Sequence, residues 1–336
     1  MQAVCRRWKA VVRSKEFYEA RKRAGSSRQC VCMVQAVPPS STARIAKVAG
    51  TSTPPLNISI YDLHQRSWMR LWPVPEFSQA GAPLFSQCVY SNGKLILLGG
   101  WNPTSYAAIR SVYIFDFFSR KWCRGSDMLS TRSFFACGTV DGLVFVAGGH
   151  DDKKDALATA EMYSVEDDSW RELPKMSEER DECGGFELNG KFYVVSGYHT
   201  QTQGQFVKSG EVFDPRVGNW NRIENVWMKA SCSATITAVA CGQLYDFSGQ
   251  EVLRYDADLN SWMVVDAIPE GRTVAACTTS ASDCIVVATT SCNVDMIFNY
   301  KLFLYKPSLV KDSLWTKIES EEDFSCLIQG LCTVEL

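Results

Sequence analysis

The three histidines of this sequence are its candidate metal ligands and general bases: His64, His150 and His199. His150 and His199 begin equivalent polar segments, but neither has a third metal-ligating residue at a useful spacing. No phosphate-binding glycine loop stands out, and no serine lies in a nucleophile elbow. We therefore predict a protein that is not an enzyme, with no catalytic residue, no metal site and no cofactor.

Three arginines recur at one place in the chain. Arg132 and Arg180 each follow a methionine by four residues, and Arg272 is similarly placed ahead of an apolar segment. A planar guanidinium group can hold a carboxylate through two parallel hydrogen bonds, which suits an acidic partner. The alternative is that these arginines tie the starts of strands to neighbouring loops, because repeated positions often serve the fold.

The overall charge is close to balanced, with 35 Lys and Arg residues against 37 Asp and Glu. This balance is not typical of a protein that coats nucleic acid, so we predict no nucleic-acid partner. Residues 1–28 are basic, with nine Lys and Arg residues against Glu16 and Glu19. Such a segment is typical of a nuclear signal, an acid-binding patch or a solvated helix face.

The 14 cysteines do not resemble a disulfide framework, because several lie inside apolar, strand-like segments where free thiols act as small hydrophobic groups. The sequence opens without a secretory signal, and no apolar stretch approaches the 18 residues of a membrane span. We therefore predict no membrane partner and a reducing compartment, the cytoplasm, the nucleus or both.

An internal repeat organises the rest of the chain. In five copies an aromatic residue precedes a tryptophan by seven positions, and in four of them Asp follows the first aromatic. A sixth copy has a longer loop between Tyr305 and Trp315. The five regular pairs are Tyr61 with Trp68, Phe115 with Trp122, Tyr163 with Trp170, Phe213 with Trp220, and Tyr255 with Trp262.

A hairpin signal lies upstream of the second, third and fourth regular repeats, and Cys241-Gly242 takes its place in the fifth. Asn92-Gly93, Asp141-Gly142 and Asn189-Gly190 supply the positive φ angles of a tight turn, at spacings of 49 and 48 residues. The next segment is continuously apolar, as expected for a strand buried on both faces, and ends in Gly-Gly or Ser-Gly. With one more strand before each hairpin, every unit becomes a four-stranded antiparallel sheet.

Six such units are predicted. The first lacks its leading strand, and residues 324–335 supply one unmatched strand of that kind, so we expect this strand to complete the first sheet and close a ring. Gly-Gly after an apolar strand, followed by aromatic-Asp and then Trp, resembles the kelch repeat. The resemblance implies an all-β fold, a six-bladed kelch β-propeller over residues 29–336.

The N-terminal segment predicts two short helices. Val4, Trp8, Val11 and Val12 share one side of the first, and Ser14 can cap the second. Val-Cys-Arg-Arg-Trp at residues 4–8 resembles the closing helix of an F-box, and residues 14–22 continue as in plant F-box/kelch proteins. Because the leading part of an F-box is not in this sequence, residues 1–28 are interpreted as a truncated, α-helical F-box remnant.

This resemblance implies a substrate-recognition subunit of a cullin–RING ubiquitin ligase, with a Skp-type adaptor and a cullin as partners. Val4 and Trp8 would face the adaptor, and phenylalanine ammonia-lyase or a response regulator would be the target. The alternative is a kelch scaffold that competes for targets without ligase activity. In related kelch adaptors arginines at this place line the channel mouth, which implies a partner-binding role for Arg132, Arg180 and Arg272. Further candidates at this mouth begin the polar segments after the Gly-Gly and Ser-Gly strands, where binding residues usually lie: Trp101, His150, Tyr198 and His199.

Overall fold

Six four-stranded antiparallel sheets form the fold of this protein, as seen in a computed structural model. The structure describes residues 5–12, 14–37, 55–71, 73–77, 81–224, 236–247, 249–256, 258–259, 261–279, 284–292, 298–307, 314–320 and 324–336. Two helices precede the sheets, α1 (Arg6–Val12) and α2 (Lys15–Arg23). Of the predicted leading strand at residues 232–239, the first four residues lie outside the described part.

The strands of the first three sheets, apart from the strand that completes the first, are β1 (Gln29–Ala36), β2 (Leu56–Asp62), β3 (Ser67–Arg70), β4 (Gln87–Ser91), β5 (Lys94–Leu98), β6 (Val112–Asp116), β7 (Lys121–Gly125), β8 (Ala136–Val140), β9 (Leu143–Ala147), β10 (Ala160–Ser164) and β11 (Ser169–Leu173). The fourth and fifth sheets contain β12 (Gly184–Leu188), β13 (Lys191–Val195), β14 (Gly210–Asp214), β15 (Asn219–Ile223), β16 (Thr237–Ala240), β17 (Gln243–Asp246), β18 (Glu251–Asp256) and β19 (Ser261–Ala267). The remaining strands are β20 (Thr273–Thr279), β21 (Ile285–Cys292), β22 (Phe298–Lys306), β23 (Leu314–Ile318) and β24 (Ile328–Glu335). Short 3₁₀ turns occur at Pro75–Phe77, Thr200–Thr202 and Pro269–Gly271.

The repeated aromatic residue and tryptophan are direct cross-strand partners in every sheet, including the sixth. The pairs are Tyr61 with Trp68, Phe115 with Trp122, Tyr163 with Trp170, Phe213 with Trp220, Tyr255 with Trp262, and Tyr305 with Trp315. Tryptophans of the repeat also donate to the preceding sheet, as in Trp170 Nε1 to Ser126 O at 2.8 Å and Trp220 Nε1 to Pro174 O at 2.7 Å. The repeat therefore fastens neighbouring sheets together.

The predicted turns are confirmed in the same register. Asn92, Asp141 and Asn189 have positive φ angles, each followed by a glycine that also has one. The Asp after the repeated aromatic caps the next turn, as when Asp116 Oδ1 accepts hydrogen bonds from the amides of Phe118 and Ser119. Local side-chain chemistry thus fixes where each strand reverses.

The ring is closed by its last strand, as the sequence predicts. β24 pairs with β1 in antiparallel register and becomes the leading strand of the first sheet. The leading strands contact one another in a cycle, β24 to β4, β8, β12, β16, β20 and back to β24. The Sγ atoms of Cys88 and Cys332 lie 3.2 Å apart where β24 meets β4. These strands surround the axis, so the fold is a six-bladed β-propeller.

The propeller has two distinct faces because consecutive antiparallel strands reverse at alternate ends. The short-turn face carries the hairpin turns, among them those at residues 91–94 and 116–121. The long-loop face carries the connections 99–111, 148–159 and 196–209 and the segments that lead into β4, β8 and β12. Isolated bridges join these two sets of segments, for example Ser133 with His150 and Asp181 with Tyr198. No helix in the described residues is long and apolar enough to cross a membrane.

Candidate functional site

Arg132 lies beneath the long-loop face with its side chain fully buried. Its guanidinium group donates to the carbonyl oxygens of Gly148 (2.9 Å) and Thr159 (3.1 Å) and to Glu161 Oε1 (2.6 Å). Glu161 also accepts hydrogen bonds from the amides of Leu129 and Ser130. The arginine therefore ties the segment before β8 to the loop after β9.

Arg180 repeats this arrangement one sheet later. It donates to the carbonyl oxygens of Ser196 (2.9 Å) and Ser209 (3.1 Å), and Glu211 Oε1 lies 3.4 Å from its Nε. Arg272 is also buried and donates to the hydroxyl groups of Thr289 and Ser291, at 2.8 Å each. A partner-binding role does not fit these arginines, because their guanidinium groups are buried and bonded within their own sheets. The geometry favours the structural alternative.

A chain of buried hydrogen bonds runs across the second, third and fourth sheets. Trp101 Nε1 donates to Ser133 Oγ (2.9 Å), and Ser133 Oγ lies 2.7 Å from His150 Nε2. His150 Nδ1 lies 2.9 Å from Asp181 Oδ1. An indole can only donate, so Ser133 Oγ accepts from Trp101, and a neutral His150 that donates to Asp181 through Nδ1 accepts the Ser133 hydroxyl hydrogen at Nε2. This series of hydrogen bonds joins the second, third and fourth sheets through their loops.

Ser133, His150 and Asp181 have the spacing of a Ser-His-Asp hydrolytic triad. Ser133, however, is fully buried, and its Oγ already accepts the hydrogen of Trp101. A nucleophile must reach a substrate carbonyl, so this hydroxyl cannot act as one where it lies. The arrangement instead orients Trp101 and His150 at the long-loop face.

The long-loop face presents an aromatic cluster at the mouth of the central axis, which we call the aromatic mouth: Phe85, Trp101, Phe134 and His150. Phe85 and Phe134 have ring centroids 4.5 Å apart, and Trp101 lies 5.0 Å from Phe85 and 5.9 Å from Phe134. His150 is buried beneath the cluster, whereas the other three rings are partly exposed. Partly exposed aromatic side chains are typical anchors of protein interfaces.

The remaining predicted mouth residues lie beside this cluster. Tyr198 is buried, and its hydroxyl donates to Glu182 Oε1 at 3.2 Å. Burial is the main reason that the pKa of the Glu182 carboxyl is raised, and the nearby charge of Asp181 adds to it. His199 is partly exposed, with Nε2 3.7 Å from Glu178 Oε2. Among the described residues, no cluster of three or more His, Cys, Asp or Glu side chains could hold a metal ion.

Comparison with known proteins agrees with this architecture. The family description "Kelch motif" matches residues 85–129 and 131–177. The protein of a solved structure titled "Structure of YjhT" has the same fold, with a TM-score of 0.64 over 79% of this chain and 95% of that one, at 10% identity.

Curated relatives extend the comparison beyond the fold. The F-box/kelch-repeat protein At1g15670 of Arabidopsis thaliana is 31% identical over 100% of this chain and 93% of its own length. This chain belongs to the F-box/kelch-repeat family. The F-box/kelch-repeat proteins At2g44130 and SKIP20 of the same organism are each 40% identical over 68% of the chain. The matches span 60% and 61% of those two relatives.

The N-terminal helices of this F-box/kelch-repeat protein differ in how they contact the propeller. In α1, Trp8 is 61% exposed, and Val11 and Val12 are also exposed. Val4, predicted to face the adaptor with Trp8, lies outside the described residues. Ser14 caps α2 as predicted, accepting a hydrogen bond from the amide of Phe17. The apolar side of α1 is thus open to solvent.

α2 is fixed to the short-turn face where the ring closes. The Tyr18 hydroxyl lies 2.9 Å from the hydroxyl of Tyr90, at the end of β4, and its ring packs edge-on against Phe118. Lys22 Nζ lies 3.1 Å from Glu335 Oε2 in β24. The helical segment therefore lies on the face opposite the aromatic mouth.

Several residues of the site were not predicted from the sequence. Some of them recur at equivalent repeat positions and could have been found, whereas others do not. Glu161 and Glu211 each precede the repeated aromatic residue by two positions, so a repeated acid was available to pair with the repeated arginine. Ser133 and Asp181 directly follow Arg132 and Arg180, but they are different residue types. Their shared position therefore gave no repeat signal.

Proposed function

We propose that this F-box/kelch-repeat protein is a substrate receptor of an SCF-type cullin–RING ubiquitin ligase. The propeller would hold a target protein through its long-loop face, and the N-terminal helices would link it to a Skp-type adaptor. The chain would contribute no chemical step of its own, because holding the target near a ubiquitin-charged enzyme supplies the rate advantage. The proposal places the chain in the cytoplasm or nucleus.

The observation that carries this proposal is the opposite placement of two candidate contact surfaces. Helix α2, which follows the segment that resembles an F-box, docks on the short-turn face through Tyr18 and Lys22. The partly exposed aromatic residues lie on the long-loop face. A target and an adaptor could therefore be bound at the same time without competing for one surface.

We expect Trp8→Ala to weaken binding of a purified plant Skp-type adaptor by roughly 30-fold, because an exposed tryptophan is a frequent centre of interface energy. Val264→Ala provides the control, since Val264 is 60% exposed but lies on β19, away from the helices. Binding is measured by calorimetry with the full chain. An adaptor that binds neither the chain nor its variants would instead support the competing scaffold without ligase activity.

The target is a separate part of this proposal. Phenylalanine ammonia-lyase and a response regulator stay predictions, drawn from the family resemblance. Phenylalanine ammonia-lyase would make this chain a regulator of phenylpropanoid synthesis. Reconstituted ubiquitination of each candidate, with and without the propeller, distinguishes them.

A further inference from the structure

Three residues at equivalent repeat positions have left-handed backbone conformations. Phe85, Phe134 and Glu182 have φ angles of 56°, 53° and 50°, and each lies just ahead of a leading strand. Bulky residues seldom adopt this conformation, and where it persists it often marks a functional site. The same conformation therefore recurs just ahead of the leading strand in three successive sheets. The side chains that result are two aromatic rings and one carboxylate.

The rim carries a carboxyl group, that of Glu182, where the sequence predicts a binding site for acidic groups. Arg132 and Arg180 are neutralised by Glu161 and Glu211 beneath the surface. In the described part of the chain, Glu182 accepts a hydrogen bond from the neutral Tyr198 hydroxyl and forms no ion pair with lysine or arginine. A partly buried carboxylate without a cation favours a ligand that brings one.

A lysine of the chain itself shows that the aromatic mouth accepts a cation. Lys154 Nζ lies over the Trp101 ring, 6.0 Å from its centroid. Lys154 is exposed and belongs to the loop at residues 148–159, so this contact is at the weak end of cation–π interactions. A partner's cation could displace it without disturbing any strand.

We propose that the aromatic mouth and Glu182 form a recognition site for a lysine or arginine side chain of the target protein. The aliphatic stem would lie against Phe85 and Phe134, and the cationic end would meet the Trp101 ring and the Glu182 carboxylate. This inference rests on the proposed function, since it specifies the part of a target that the receptor reads. The target group proposed here is positively charged, whereas the buried arginines had predicted a negatively charged one.

Short peptides test this preference on the intact chain. Four pools of acetylated and amidated nonapeptides share degenerate flanks and differ at the central residue, which is arginine, lysine, norleucine or glutamate. Norleucine matches the lysine stem but carries no charge. We expect the arginine and lysine pools to bind about tenfold more tightly than the norleucine and glutamate pools, because the cation gains one cation–π contact and one ion pair. Binding is measured by fluorescence polarisation.

Variants assign the preference to this site rather than to the overall charge of the chain. Glu182→Gln and Phe134→Gly should each reduce the arginine-to-norleucine ratio to below about threefold, and glycine relieves the strain at position 134. Glu172→Gln, which removes an exposed acid from the outer strand β11, should leave the ratio unchanged. Lys154→Met should raise binding of the arginine pool by removing the competing cation.

Several results would overturn the inference: equal binding of norleucine and lysine, a preference for glutamate, binding of no pool, or a ratio that falls equally in Glu172→Gln. Each variant is first checked for an unchanged melting temperature, and Glu182→Ala, which also removes the carboxylate, replaces Glu182→Gln if the latter unfolds. The adaptor measurement with Trp8→Ala concerns the opposite face. Its failure would contradict the ligase proposal and leave the peptide preference to be judged separately.

Discussion

Deleting residues 324–336 should abolish the cooperative melting transition of the entire propeller. These residues include β24, whose Ile328, Cys332 and Val334 are buried between the first sheet and its two neighbours. Removing one large buried apolar side chain costs about 2–5 kcal/mol, whereas a whole domain is stable by about 5–15 kcal/mol. The deletion also leaves the long edge of β1 without a partner. Circular dichroism during heating measures the outcome.

A pair of point variants separates closure from nonspecific effects of truncation. Val334→Asp places a carboxylate at a fully buried position of β24, so it should lower the melting temperature severely. Leu327→Asp, one residue before the strand and 40% exposed, should change it little. A truncated chain that melts at the original temperature would show that the ring does not depend on this strand.

Arg132→Met should lower the free energy of unfolding by about 3–5 kcal/mol, because it leaves the buried Glu161 carboxylate without its counter-charge. The same change removes hydrogen bonds to the carbonyl oxygens of Gly148 and Thr159. Urea denaturation of the full chain measures the loss. A large effect on stability is expected because Arg132 is fully buried, and no effect on partner binding is needed to explain it, since Arg132 lies outside the proposed recognition site.

Lys317→Met is the matched control, since Lys317 is paired with Glu319 on the exposed β23 edge and such surface pairs contribute about 0–1 kcal/mol. The double variant Arg132→Met with Glu161→Met should recover part of the loss, because no isolated buried charge remains. Recovery is incomplete, as Glu161 also holds the amides of Leu129 and Ser130. Weakened target capture with unchanged stability in Arg132→Met would restore the partner-binding interpretation.

The sequence predicts the propeller well because its signals are local and repeated. Tyr163 and Trp170 are only seven residues apart, and Asn92-Gly93 determines its own turn. Ring closure by β24 could be predicted by counting strands, because the first sheet had only three strands and the strand at the end of the sequence belonged to no other sheet. Both arguments need no knowledge of side-chain geometry.

The site was harder to predict because burial and pairing depend on neighbouring sheets. Arg132 is a surface residue by its chemistry, and only the position of Glu161 across the sheet explains why it is buried. Nothing in the residue type of Phe134 indicates a left-handed conformation, which glycine or asparagine usually adopts. Burial of Arg132 and Arg180 against Glu161 and Glu211 favours a structural role for these arginines, and recognition of a cationic side chain at the rim stays our proposal.

Pairing the beginning of the propeller with its end has a consequence for biosynthesis. Gln29 emerges from the ribosome early, whereas its partner Glu335 lies about 300 residues further along the chain. At roughly 5–20 residues per second, β1 waits for about 15–60 s with an unpaired apolar edge. During that interval the unpaired edge of β1 is open to aggregation, and the ring is expected to close only after β24 has been made.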